Sequence, residues 1–159
     1  VLLLGTDKAS DDASYSRSDT LILVNIDPDQ GRASVLSLPR DLRVTVPGHG
    51  TNKINAAYAF GGAALTIRTI REELGIRIDH FAEIDLAAFR NLTTELGGVY
   101  IDVDRTYSHN GSSYEAIDLR CGYQLLTGED ALDYVRFRND SNSDFGRMRR
   151  QQRFLTALL

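Results

Sequence analysis

The sequence predicts a mixed α/β domain, with helices packed on a largely central β-sheet, on three observations. The run Leu21 to Ile26, LILVNI, is apolar on both faces, as a strand covered from two sides must be. Val99, Ile101 and Val103 alternate with Tyr100, Asp102 and Asp104 at the period of a half-buried strand. Two amphipathic segments of helical spacing, Ala63 to Leu74 and Leu86 to Leu96, are stopped by Gly75 and by Gly97-Gly98. With 159 residues, 42% hydrophobic and 25% charged, the chain suits one domain over 1–159 with a sizeable core.

Taken in order, Val1 to Leu4 reads as a buried strand that delivers Asp7 beyond the C-terminal end of a sheet, a frequent place for site residues. Lys8 to Ser16 is polar and loop-like, and Arg17-Ser18-Asp19-Thr20 leads into the central strand. Asp27 to Gly31 is a turn, and Ala33 to Leu38 returns as a hairpin partner ending at Pro39-Arg40-Asp41. Asp19 and Arg40 are therefore expected at neighbouring strand ends. Leu42 to Pro47 is a short strand and Gly48-His49-Gly50 a flexible loop. Asn52 to Phe60 is a short helix, followed by Gly61-Gly62 and the helix from Ala63 to Leu74. Ile76 to Ile84 alternates as a strand, and Arg105 to Tyr123 is the least regular stretch and an expected exposed loop. Thr127-Gly128-Glu129-Asp130 resembles a capping box that opens a short helix.

The stretch Asp133 to Arg153 concentrates six arginines, Arg136, Arg138, Arg147, Arg149, Arg150 and Arg153, in a chain whose formal net charge is -4. Such crowding repels itself, and an anion with several oxygens is the natural reason to hold it together. Read as a strand, Tyr134 to Arg138 puts Val135 and Phe137 on one face and both Arg136 and Arg138 on the other, about 7 Å apart. Asp144 then serves as an N-cap for a helix from Phe145 to Leu159. On that helix Arg147, Arg150, Gln151 and Phe154 share a stripe. A pocket made from this strand and helix would offer Arg136, Arg138, Arg147, Arg150 and Gln151 to a phosphate; the alternative is a solvated basic face.

Other chemistries are poorly supported. The acidic balance opposes general nucleic-acid binding, and no helix-turn-helix pattern is present. The single Cys121 excludes an internal disulfide and a multi-cysteine metal site. His49, His80 and His109 lack metal-ligand spacing, and no nucleophile elbow, P-loop or dinucleotide fingerprint occurs. Asp7 and Asp19, carboxylates at strand ends, are candidate ligands for a hard cation such as magnesium, although each alone is more often a turn former. No run is long and apolar enough to span a bilayer. The chain opens on a strand-like LLLG and closes inside a helical pattern, as a domain cut from a longer protein would.

Several stretches together, LLLGTD, RSDTLILVNIDP, LSLPRD, KINAAYAFGG, IDHFAEID, LGGVYIDV, LTGEDALDYVRFR and DFGRMRRQ, resemble the LytR-CpsA-Psr family of bacterial cell-envelope proteins, in matching order. The resemblance implies a domain on the extracytoplasmic face of the cell membrane, anchored by a transmembrane segment outside this chain. It implies transfer of a glycopolymer of teichoic acid, capsule or arabinogalactan type from a polyprenyl-pyrophosphate carrier to peptidoglycan. It further implies magnesium, or manganese in its place, at Asp7 and Asp19. Pyrophosphate contacts would come from Arg17, Arg40, Lys53, Arg136, Arg138, Arg147, Arg150 and Gln151, with Asp19, Arg40, Arg136 and Arg138 closest to catalysis. Asp19 and Asp41 are the carboxylates available as a base. An apolar slot for the lipid would draw on residues such as Ala56, Ala57, Phe60, Ile70, Phe81, Phe89 and Leu92. The alternatives are a non-catalytic polyprenyl-phosphate binding module or an envelope-related regulator.

Overall fold

The computed structural model describes residues 1–6, 18–109, 117–137 and 143–158. These form a mixed α/β fold of ten strands and four helices, grouped in two compact units, Val1–Leu86 and Ala87–Leu159.

The first unit is built on a sheet of order β3-β2-β1-β6. The doubly apolar run becomes β2, Ser18–Asp27, whose Leu21 to Val24 are all buried, so both faces of the strand are covered there. It pairs antiparallel with β1, Leu2–Thr6, and with β3, Arg32–Leu38. The Asp27 carboxylate accepts the Gln30 N–H at 3.1 Å and closes the turn between β2 and β3. The alternating segment from Ile76 does not run as one strand. Only Phe81–Asp85 forms β6, parallel to β1, because Ile76 and Ile78 turn inward onto the core instead of entering the ladder.

The glycine loop at Gly48 to Gly50 proves to be the turn of a hairpin. Strand β4, Arg43–Val46, pairs antiparallel with β5, Gly50–Lys53, so the helix expected from Asn52 starts two residues later. That helix, α1, runs Ile54–Leu74 with a break at Gly61 and Gly62. Gly62 holds φ 61 and ψ -156, a backbone state open almost solely to glycine. Beyond the break, Ala63, Thr66 and Ile70 form the buried stripe, and Thr66 and Thr69 donate their hydroxyls to the Gly62 and Leu65 carbonyls. Gly75, with φ 67, caps the helix through its N–H on the Arg71 carbonyl.

In the second unit α2, Leu86–Glu95, whose first residue closes the preceding unit, leads into β7, Val99–Val103. The expected alternation holds in β7, which buries Val99, Ile101 and Val103. The segment expected as an exposed loop carries β8, Tyr107–His109, and β9, Ile117–Leu119, paired with each other. It ends in β10, Gly122–Leu126, which pairs with β7. Its Tyr107, Ile117 and Leu119 are buried at the period of two, a short pattern masked by the polar residues around it. Helices α3, Gly128–Arg136, and α4, Ser143–Leu158, pack on each other, and α4 also packs on β7.

The arginine strand is thus corrected to the end of α3. Val135 and Phe137 are buried as that strand required, but so is Tyr134, which a strand would put on the solvated arginine face. Glu129 and Asp130 in the first turn and Arg136 in the last suit the helix dipole and reinforce the helical choice. Thr127 stands at the N-cap position as expected, but without a side-chain capping bond.

Candidate functional site

In the first unit the strand ends bring Asp19 and Arg40 together. One Arg40 guanidinium nitrogen, Nη1, donates to both Asp19 carboxylate oxygens at 3.0 Å. Arg40 is fixed from behind as well, since its carbonyl accepts the Asn55 N–H at 3.2 Å, and the Leu42 carbonyl accepts that of Ile54 at 2.8 Å. The first turn of α1 therefore spends its orphan N–H groups on the segment carrying Arg40. Lys53, at the end of β5, meets Asp41 at 2.7 Å across the mouth of the β4–β5 hairpin. The Lys53 ammonium holds the Asp41 carboxyl below its ordinary range, so Asp41 is a weak proton acceptor near neutrality. Asp19 and Arg40 are largely shielded yet reachable, with side chains 18% and 26% exposed.

A hard cation fits the donor chemistry here. The Asp19 carboxylate is partly exposed at a strand end, and such an ion needs one or two carboxylates, completing its shell with water and phosphate oxygens. Among the described residues no group of three or more His, Cys, Asp or Glu side chains could hold a metal by itself. Asp7 lies outside the described residues, as do Arg17 and Arg138.

In the second unit the stripe on α4 turns inward. Arg147, Arg150 and Phe154 are buried, with Gln151 half-buried between them. Arg147 lies 3.2 Å from Asp144 one turn earlier. Arg150 donates from Nε to the Tyr134 carbonyl at 3.1 Å and from Nη2 to the Phe137 carbonyl. Its guanidinium carbon also lies 5.0 Å from the Tyr107 ring centre and 5.3 Å from that of Phe137. Gln151 donates to the Val135 carbonyl at 3.3 Å. Arg136, the last residue of α3, is half-buried, Arg149 is exposed, and Arg153 reaches Asp104 at 3.5 Å.

Sequence reasoning passed over Tyr107, which supports this cluster. Its hydroxyl donates to Asp104 at 2.7 Å, and its ring packs edge-on against Tyr134 and Phe137. Burial and the Asp104 carboxylate push the Tyr107 phenol up. Burial pushes the Asp133 carboxyl up too, although Arg136 one turn later draws it back.

The apolar candidates divide. Ala56, Ala57 and Ile70 are core residues of the first unit, whereas Phe60 and Phe81 are exposed there. In the second unit Leu92 is exposed and Phe89 packs on Phe154 at 5.2 Å between ring centres. No helix among the described residues is long and apolar enough to cross a membrane.

Comparison with known proteins gives a consistent result. The LytR_cpsA_psr family model matches residues 1–159. The chain is 41% identical over 161 residues to the polyisoprenyl-teichoic acid–peptidoglycan teichoic acid transferase TagU of Halalkalibacterium halodurans, covering 100% of this chain and 51% of the relative. It is 38% identical to regulatory protein MsrR of Staphylococcus aureus, over 99% of this chain and 47% of that protein. A solved structure of the LytR-CPS2A-psr family protein YwtF (TagT) with bound octaprenyl pyrophosphate lipid superposes with a TM-score of 0.78. That match has 34% identity and covers 99% of this chain and 61% of the other. The chain spans about half the length of the curated relatives it matches.

Proposed function

The chain belongs to the LytR_cpsA_psr family, and from that premise we propose that it is a phosphotransferase domain. It would move a glycopolymer from a polyprenyl-pyrophosphate carrier onto peptidoglycan at the extracytoplasmic face of the cell membrane. The observation that carries this reading is the similarity, over 99% of this chain, to a protein solved with octaprenyl pyrophosphate bound. The similarity to TagU, whose name states teichoic acid transfer to peptidoglycan, supplies the reaction class.

The chemistry assigned to the chain's own residues is electrostatic. A hydroxyl of peptidoglycan attacks the phosphorus that bears the glycan, the bond from that phosphorus to the bridging oxygen breaks, and polyprenyl phosphate leaves with the electron pair. Arg40, oriented by Asp19 and by the Asn55 N–H, presents a fixed cation to the pyrophosphate oxygens. By family membership Arg17, Lys53, Arg136, Arg138 and Arg147 are further candidates for pyrophosphate contacts. Asp19 and Asp7 would hold magnesium or manganese, which when bound neutralises phosphate charge. The attacking hydroxyl loses its proton to a carboxylate or to water; Asp19 and Asp41 are the two carboxylates considered, each paired with a cation, Arg40 and Lys53. Phe60, stacked on His49, and Phe81 are exposed apolar side chains of the first unit and candidates for contact with a prenyl chain.

The test is calorimetric titration of farnesyl pyrophosphate into the folded domain, with magnesium and then with chelator, beside an Arg136→Ala, Arg138→Ala double variant. A transfer assay with labelled lipid-linked glycan follows. Binding by the parent that the variant loses, with turnover that Asp19→Ala abolishes, supports the transferase. The similarity to regulatory protein MsrR favours a second reading, a binding module or regulator without turnover. Binding without transfer under every metal condition would select it.

A further inference from the structure

We infer that Arg150 is a positioning residue: its guanidinium fixes the last turn of α3, and so sets the direction in which Arg136 leaves the helix, without itself being a phosphate ligand. An α-helix ends with carbonyls that have no partner within it, and here α4 supplies them. Arg150 takes the carbonyls of Tyr134 and Phe137, and Gln151 takes that of Val135 between them. The Phe137 N–H still donates to the Asp133 carbonyl at 3.1 Å, so the backbone is held on both sides of Arg136.

The clamp is built for a cation. The Arg150 side chain is buried, with residue exposure of 4%, and lies near the faces of Tyr107 and Phe137. A positive charge at a helix C-terminus is stabilised by the helix dipole, and a planar fork can serve two carbonyls where an ammonium cannot hold the same geometry. A buried arginine spending its donors on backbone carbonyls and its faces on aromatic rings is suited to orienting a neighbour rather than to meeting a soluble anion. Arg136, half-buried at the end of the turn that Arg150 holds, is that neighbour.

This inference rests on the phosphotransferase reading for its consequence but not for its test. Four variants, Arg150→Gln, Arg150→Lys, Arg136→Ala and the double Arg136→Ala, Arg150→Gln, are compared by farnesyl pyrophosphate titration and by amide hydrogen exchange over 134–137. Arg150→Gln is expected to raise exchange over 134–137 and to weaken binding about tenfold, the scale of one mispositioned charged contact. Arg150→Lys should not restore either property. The double variant should bind as Arg136→Ala does, because Arg150 acts through Arg136.

Rescue by lysine, additive losses in the double variant, or unchanged affinity in a folded Arg150→Gln protein would each overturn the inference. If Arg150→Gln does not fold, the lysine variant decides: affinity and exchange like the parent's reject the clamp, and loss of both supports it. If the parent binds no farnesyl pyrophosphate, the functional reading fails separately. Exchange over 134–137 then decides the clamp alone, and an unchanged pattern in the variant rejects it.

Discussion

A single nitrogen of Arg40 sits 3.0 Å from both carboxylate oxygens of Asp19, which precedes it by 21 positions across the β2–β3 hairpin. The pair leaves Arg40 one orientation and gives Asp19 a permanent counter-charge. Arg40→Ala should lower stability by about 1 kcal/mol, since the pair is only partly shielded. It should lower transfer far more, about 10²- to 10³-fold, as losing one preorganised electrostatic group does. Arg40→Lys keeps the charge but not the grip, so it should recover the stability poorly and the transfer only in part. Urea unfolding at pH 7 beside steady-state transfer separates these effects; equal activity of Arg40→Lys and parent would remove orientation from the account.

The break in α1 yields a second prediction. Gly62 at φ 61, ψ -156 has open space where a Cβ would be, so the obstacle to a side chain is the backbone state itself. Gly62→Ala should cost about 1–3 kcal/mol. Gly61→Ala meets a different obstacle, the Leu65 Cβ 2.7 Å from the new Cβ, an atom fixed to the backbone that no rotamer change removes. Both variants should therefore lower the midpoint of a denaturant titration, Gly62→Ala through backbone strain and Gly61→Ala through a contact that shifts the helix, and a parent-like midpoint for either would remove its obstacle.

These particulars show what the sequence made legible. The pairing of Asp19 with Arg40 followed from a doubly apolar strand, a turn and a returning strand, because hairpin connectivity leaves few places for the two ends. The end of α3 was not legible, since Tyr-Val-Arg-Phe-Arg has strand-like alternation and high strand propensity. What decides for helix is tertiary: Arg150 and Gln151 of α4 cap its last carbonyls, and the Arg150 guanidinium lies over the Phe137 ring. For the same reason the stripe on α4 was located correctly and its direction was not. Spacing shows that Arg147, Arg150 and Phe154 share a face, and only the packing shows that the face is buried. The β8–β9 hairpin was hidden because its strands are three residues each, too short for a period to stand out.

Acid should test the support beneath the arginine cluster. Burial would raise the Asp104 carboxyl, but the Tyr107 hydroxyl, the backbone and the cations Arg153 and Arg105 together bring it below its ordinary 3.8. A depressed carboxyl contributes stability above the unfolded pKa and loses it as pH falls through the folded value, so the window lies below about pH 4. Tyr107→Phe removes the hydrogen bond and should cost about 1 kcal/mol at pH 7. That cost should shrink as pH falls below about 4 and Asp104 takes up its proton. Urea midpoints of both proteins at pH 7 and pH 3 supply the check, and an equal difference at the two pH values would uncouple Asp104 from Tyr107.

Asp133 presents the opposite sign. Burial is the largest influence on its carboxyl and raises it, the acids Glu129 and Asp130 add to the rise, and Arg136 opposes them. A raised carboxyl means that the folded chain binds protons the unfolded chain has already released, so stability falls as pH climbs from about 4 through the folded value. At neutral pH the ionised Asp133 is then a net cost. Asp133→Asn should raise stability at pH 7 by up to about 1 kcal/mol, with the gain vanishing below pH 4 where both chains are neutral at this position. The same substitution removes a negative charge one turn from Arg136, so phosphate affinity should rise slightly or hold, and transfer should survive. Loss of transfer in a stabilised Asp133→Asn protein would instead make this carboxylate a participant in the reaction, and would place the missing base on α3 rather than at Asp19.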